Sequence, residues 1–221
     1  GSEMCIRDSP HRYTYVLGPN EACRTAAERF EALIAQREIE LTHIKEAFSV
    51  EKISKAFFEE YQEHYYRFVG YLSGSGFRDS IFSGDEKAIR DFCKKLLGRI
   101  VFLYFLQKKG WLGASSLEYK DGNPNFMHDF FKQAGGDEAF YNTYLSQLFF
   151  ETLNNPDRED DRFEMPDGSA VKIPYLNGGL FDRETIKSNA LTFPPELFGE
   201  LFDFFDRYNF TIYENSPDDH T

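Results

Sequence analysis

The stretch that most limits the fold is Phe92–Trp111, FCKKLLGRIVFLYFLQKKGW, an apolar middle between basic ends. Its unbroken apolar run extends only from Ile100 to Leu106. A membrane-spanning helix needs about 20 apolar residues, so the stretch is too short to cross a bilayer. It reads instead as the central helix of a folded core. Ser83-Gly-Asp-Glu86 has the spacing of a capping box and is expected to open it at Ser83. Ile89, Phe92, Leu96, Ile100 and Leu103 recur every three or four residues and predict one inward stripe. Lys87, Arg90 and Lys94 mark a solvated face, whereas from Ile100 onward the pattern predicts burial on every side. Lys108 and Lys109 suit the negative end of the helix dipole, and Gly110 is the expected stop. Gly98 inside the helix costs about 1 kcal/mol against alanine, which predicts a close neighbour or a bend there.

Helical periodicity continues on both sides. Thr25-Ala-Ala-Glu28 opens a helix to about Arg37. Ser49 caps a long helix with the stripe Ile53, Phe57, Tyr61, Tyr65, Phe68 and Leu72. Helices are expected at 125–134 and 137–153, split by Gly135-Gly136, and after Pro194-Pro195 to about Tyr208, with Leu197, Leu201, Phe204 and Phe205 inward. Strand signals are few: Arg12–Leu17, a hairpin over 162–173 turning at Pro166-Asp167-Gly168, and Phe210–Tyr213. The expected fold is mainly α, a multi-helix bundle with a small β-hairpin appendage. The segments are a tag- or adaptor-like leader at 1–11, a short strand and linker at 12–24, the helical bundle at 25–155, an acidic loop, hairpin and turn at 156–193, and a C-terminal helix with a truncated strand at 194–221.

Charge narrows the function. The net charge is −12, which argues against a chain that wraps nucleic acid over its whole surface. A local basic patch on an acidic body remains open; Lys94, Lys95, Arg99, Lys108 and Lys109 are its candidates. Cys5, Cys23 and Cys93 have neither disulfide-framework nor zinc spacing, which suits a reducing cytoplasm. Aromatic residues, 24 Phe and 13 Tyr, suit either a core or base stacking, so composition does not choose between them.

Few motifs carry chemistry. Tyr71–Phe77, YLSGSGF, has glycines like those of a cofactor loop, but it follows a helix and lacks preceding acidic and proline residues. Glu118-Tyr-Lys120 has the E-x-K spacing of a Mg²⁺-dependent nuclease without a second carboxylate on a strand. The acidic run Asp157–Arg162 reads as a solvated loop. His43, His64 and His128 are scattered. PYLNGGLF at 174–181 is more pointed: Asn177, Gly178 and Gly179 tolerate left-handed backbone, and Tyr175, Leu176, Leu180 and Phe181 anchor both sides. It is either a rigid turn pinned into the core or a docking turn for a neighbouring domain, with Tyr175, Asn177, Gly178 and Gly179 at its tip.

Several stretches in order, RYTYVLG, RTAAERF, AFSVEKISKAFFEEY, KKLLGRIVFLYFLQKKGWLG, LFFETLN, IPYLNGGLF and LFDFFDRYNFTIYENSPDD, resemble the region just upstream of the methyltransferase core in type IIG restriction–modification enzymes. These fuse a DNA endonuclease to an adenine-specific DNA methyltransferase. The resemblance covers Arg12 to Asp219. It implies a bacterial, cytoplasmic parent that moves a methyl group from S-adenosylmethionine to adenine N6, on a base flipped out of the duplex, and that uses Mg²⁺ where it also cleaves. It implies DNA and the adjacent methyltransferase and nuclease domains as partners. The family's G-A-F-Y-T-P-like, glycine-rich cofactor and N-P-P-Y motifs are not in these residues; Asn155-Pro156-Asp157 lacks the second proline and the aromatic. No catalytic, cofactor or metal residue carries over, and the expected role is a non-catalytic helical connector. The alternatives are a self-contained helical protein-interaction module and a nuclease acting through Glu118 and Lys120.

Overall fold

The computed structural model describes residues 30–31, 33–36, 50–176 and 179–210, with the side chains of 50–54 left aside. The strand expected at 12–17, the capping boxes and caps at Thr25 and Ser49, His43, Asn177, Gly178 and residues 211–213 lie outside the described set. Two compact units divide the chain, residues 1–57 and 58–221. In the first, residues 30–31 and 33–34 are helical, and the Ala35 N–H donates to the Glu31 carbonyl.

The described helices are α1 (Val50–Gly74), α2 (Phe77–Ser80), α3 (Glu86–Lys108), α4 (Phe126–Gln133) and α5 (Pro195–Phe205). Two wide, π-helical segments, Phe140–Leu145 and Gln147–Leu153, lie between α4 and a two-stranded antiparallel hairpin of β1 (Arg162–Glu164) and β2 (Ala170–Lys172). The architecture is mainly α with a small β appendage, as the periodicity predicts.

The long apolar helix is the centre of the second unit. Ile89, Phe92, Leu96, Ile100 and Leu103 are all buried, joined by Cys93, Leu97 and Tyr104. Burial is not complete around its second half: Phe102 is 37% exposed, and Val101 and Phe105 are only partly covered. The expectation of burial on every side is corrected here, because one flank of α3 faces solvent along its whole length.

The start of α3 is also corrected. Asp85, not Ser83, is the cap: its carboxylate accepts the N–H groups of Lys87 (2.8 Å) and Ala88 (3.1 Å). Ser83 sits in left-handed backbone at φ 53°, inside the turn that precedes the helix. The stop is as expected, with Gly110 at φ 77° just past Lys109. Gly98 has no close neighbour, since a Cβ there would meet nothing within 4 Å.

Phenylalanine rings bind the elements together. His64, Phe68 and Leu72 are the buried stripe of α1. Phe68 packs edge-on to Phe198 of α5 at 5.2 Å, and His64 stacks on Phe204 at 5.1 Å. Tyr104 of α3 meets Phe205 at 5.0 Å. Beyond the inward residues expected for α5, Phe198 and Phe202 are also buried, so this helix is covered on most of its surface. Such ring pairs add about 0.5–1.5 kcal/mol each beyond area burial, which makes aromatic richness a core property here.

The connection from α3 to α4 is tight. Gly122 donates to the Gly110 carbonyl, and a Cβ on Gly122 would fall 2.3 Å from that oxygen, so only glycine fits. Buried Gln107 then accepts the Met127 N–H at 3.0 Å and satisfies a donor at the start of α4. The helix expected at 137–153 winds more widely than an α-helix. At its midpoint Ser146 gives both its N–H and its hydroxyl to the Tyr141 carbonyl. The hairpin pairs Phe163 with Val171, turns through Gly168 at φ 82°, and packs Phe163 against Phe130 at 5.6 Å.

Candidate functional site

The PYLNGGLF turn is held from inside by Arg99. This residue lies three after Leu96 and four before Leu103, on the inward stripe of α3, and is fully buried. Its Nε donates to the Leu180 carbonyl (2.7 Å) and its Nη2 to the Asp182 carbonyl (2.6 Å). Nη1 lies 2.6 Å from Glu184 Oε1, an ion-pair distance without the alignment of a straight hydrogen bond. The guanidinium carbon is 5.2 Å from the Phe150 ring centre and 5.5 Å from that of Phe149. A buried guanidinium needs this many partners, because an unpaired charge out of water is costly. Arg99 is therefore removed from the candidate phosphate contacts: its fork is committed to the turn.

Around that clamp the turn divides its side chains. Phe181 is buried against Phe149 (5.6 Å) and Phe102 (6.0 Å). Leu176 donates its N–H to the Leu153 carbonyl at 2.8 Å. Leu180 and Tyr175 point outward, 39% and 37% exposed. Gly179 opens a short 3-10 turn, Gly179–Phe181, and is not among the glycines in left-handed backbone. Its tolerance for left-handed backbone is not used here, and a Cβ on it would lie 3.4 Å from Asp182 Oδ2.

The five basic candidates do not form one patch. Lys94 and Lys95 are exposed on the outward flank of α3, with Lys94 3.9 Å from Asp91. Lys108 and Lys109 lie about 20 Å further along the axis, at 1.5 Å per residue, and each has interactions of its own. Lys87 and Arg90, read from the sequence as a solvated face with Lys94 but not counted among the phosphate candidates, share the flank of Lys94 and Lys95.

The remaining motifs resolve into local structure. Ser73 donates to Glu86 and Ser75 to the Leu72 carbonyl, so YLSGSGF is the last turn of α1, the Ser75-Gly76 turn and the start of α2. These residues do not fit a cradle for S-adenosylmethionine. Glu118 and Lys120 face each other at 3.3 Å on an exposed loop. Within the acidic run, Arg158 binds the carbonyls of Thr152 (2.9 Å), Ile173 (3.0 Å) and Arg162 (3.1 Å), and Asp161 accepts the Tyr119 hydroxyl. A polar hollow of about 330 Å³ lies beside it, lined by acidic and basic groups together, among them Glu151, Arg158 and Asp160. Among the described residues no three His, Cys, Asp or Glu side chains converge to hold a metal.

Two features escaped sequence reasoning because their parts are distant in the chain. Asp206 accepts the Tyr104 hydroxyl (3.0 Å) and lies 2.9 Å from His128 Nδ1. Burial raises the Asp206 carboxyl, against the lowering effect of both partners. The Tyr141 hydroxyl is buried, and burial pushes it up to about 12 against the lowering effect of Ser188 and Ser146. No described helix is long and apolar enough to cross a membrane.

Over 128 residues, 56% of its length, the chain is 33% identical to a provisionally named type II restriction enzyme and methyltransferase of Methanocaldococcus jannaschii. The matched region is 10% of that relative, so the chain spans about a tenth of its length. No protein-family profile matches, and no solved structure matches. By sequence, then, the chain is similar to one segment of a restriction and methylation protein.

Proposed function

We propose that this chain is the helical connector of a restriction–modification enzyme acting on DNA in the cytoplasm. The parent transfers a methyl group from S-adenosylmethionine to adenine N6, and where it also cleaves it uses Mg²⁺. The connector is non-catalytic and braces the methyltransferase and nuclease domains on either side. The reading is carried by the 33% identity to the restriction and methylation protein. It is supported by where the buried polar groups are spent: Arg99 and Gln107 hold backbone in place. The segments at 1–11, 12–24, 25–155, 156–193 and 194–221 are carried into this reading as its domain plan. Within it, the turn bearing Tyr175, Asn177, Gly178 and Gly179 docks the methyltransferase domain, and Lys94 and Lys95 touch DNA backbone.

The test uses the longer protein that carries this chain. Tyr175→Glu with Leu180→Glu changes two exposed side chains, so the isolated chain stays folded by circular dichroism. In the longer protein the pair is expected to lower adenine methylation at least tenfold. Unchanged methylation sinks the docking role. Micromolar binding of S-adenosylmethionine to the isolated chain by calorimetry sinks the non-catalytic reading.

A further inference from the structure

α3 turns a cationic flank to solvent that its own fold does not use. At 100° per residue, Lys87, Arg90, Lys94 and Lys95 fall within an arc of about 140°, opposite the Leu96 stripe, and span about 12 Å of axis. Lys87 and Lys94 side chains are 78% and 67% exposed, and Arg90 and Lys95 are exposed too. Three carboxylates act on them: Asp91, 2.6 Å from Lys87 and 3.9 Å from Lys94, Asp85 at the helix cap beside Lys87, and Glu86, whose carboxyl feels Arg90. Four exposed cations against these three carboxylates leave a small local positive excess on a chain whose net charge is −12.

The neighbouring helix borders this flank with aromatics. Tyr65 of α1 feels the charges of Arg90 and Asp91, and Tyr66 beside it is 59% exposed. Of the acidic residues of α1, Glu60 pairs with Arg207, and Glu63 acts on the neighbouring His64.

We propose that this flank, Lys87, Arg90, Lys94 and Lys95 with Tyr65 at its border, binds the sugar–phosphate backbone of double-stranded DNA. The proposal rests on the reading that the parent acts on DNA, and it locates a sequence-blind contact. Phosphates along one strand rise about 3.4 Å each, so 12 Å of cationic helix meets about three or four of them. Lysine and arginine at such spacing set position and carry no base information. Asp91 is a built-in brake: it holds two of the lysines and repels phosphate.

The 221-residue chain is titrated against a fluorescein-labelled 30-base-pair duplex of arbitrary sequence, followed by anisotropy from 20 to 200 mM salt. Binding is expected to be insensitive to sequence. The slope of log K against log salt is expected near −3, from about 0.9 per phosphate neutralised. Arg90→Glu, Lys94→Glu and Lys95→Glu together should lower affinity more than tenfold and flatten the slope, with the circular dichroism unchanged. Asp91→Asn should raise affinity severalfold. Absence of duplex binding at 20 mM salt, a triple variant that binds like the parent chain, or polyglutamate binding as tight as duplex each overturns the proposal. None of these substitutions touches Tyr175 or Leu180, so the docking test and this one fail independently.

Discussion

Arg99 Nη1 and Glu184 Oε1 lie 2.6 Å apart with their side chains 0% and 8% exposed, joining the central helix to the segment that follows the PYLNGGLF turn. The same guanidinium holds the Leu180 carbonyl within the turn and the Asp182 carbonyl just after it. Losing either charge strands the other out of water, and removing one partner of such a pair costs about 3–5 kcal/mol.

Arg99→Ala is therefore expected to destabilise the chain by about that amount in urea unfolding followed by circular dichroism. Arg99→Met with Glu184→Leu should recover most of the loss, since no charge is left buried. Arg99→Lys should recover little, because an ammonium cannot reach two carbonyls and a carboxylate with the geometry of a planar fork. A double variant no more stable than Arg99→Ala would show that the pair's charge is not what holds the turn.

Two glycines should respond oppositely to alanine. At Gly98 an added methyl meets nothing within 4 Å and the helix loses a flexible point, so Gly98→Ala should stabilise by about 1 kcal/mol. At Gly122 the methyl would collide with the Gly110 carbonyl at 2.3 Å, so Gly122→Ala should destabilise well beyond that. Thermal melts of both variants check the contrast; a destabilised Gly98→Ala would reveal a packing role that the open flank lacks.

The cap position can be tested in the same way. Asp85→Ala removes the acceptor for two helix-start N–H groups and should cost about 0.5–2 kcal/mol. Ser83→Gly should be neutral or slightly stabilising, because Ser83 already occupies left-handed backbone that glycine adopts without strain. Equal losses in both would return the cap to Ser83.

His64 supplies a pH dependence. Burial first, and Arg67 second, hold its imidazole below the ordinary value of 6.5. The folded chain thus binds fewer protons than the unfolded chain in that range, and stability rises with pH there. The His64 contribution is fully present above about pH 6.5 and is lost as pH falls toward the folded value. Urea midpoints should drop between pH 7.5 and 5.5, and His64→Phe, which keeps a ring against Phe204, should reduce that drop. An identical drop in His64→Phe would assign the effect to other groups.

Much of the helical core was legible because period and burial coincide. Ile89 to Leu103 and Phe68 with Leu72 follow the spacing that places side chains on one face, and all are buried. The hairpin was readable from its Pro-Asp-Gly turn. Arg99 was misread as a surface cation although its spacing from Leu96 and Leu103 sets it on the inward stripe; its charge was weighed and its position was not. Ser83 was misread as a cap because the S-x-x-E pattern does not reveal the φ of its own serine.

Local spacing determined by itself that this chain is a helical bundle with a central apolar helix too short for a membrane. Tertiary structure alone decided that Glu184, 85 residues away, partners Arg99, that Asp206 gathers Tyr104 and His128, and that Phe102 is left partly in solvent. Periodicity is a property of neighbours along the chain, and it assigns each residue a face. Which distant group comes to meet that face depends on where the chain returns, and no repeat of three or four residues encodes that path.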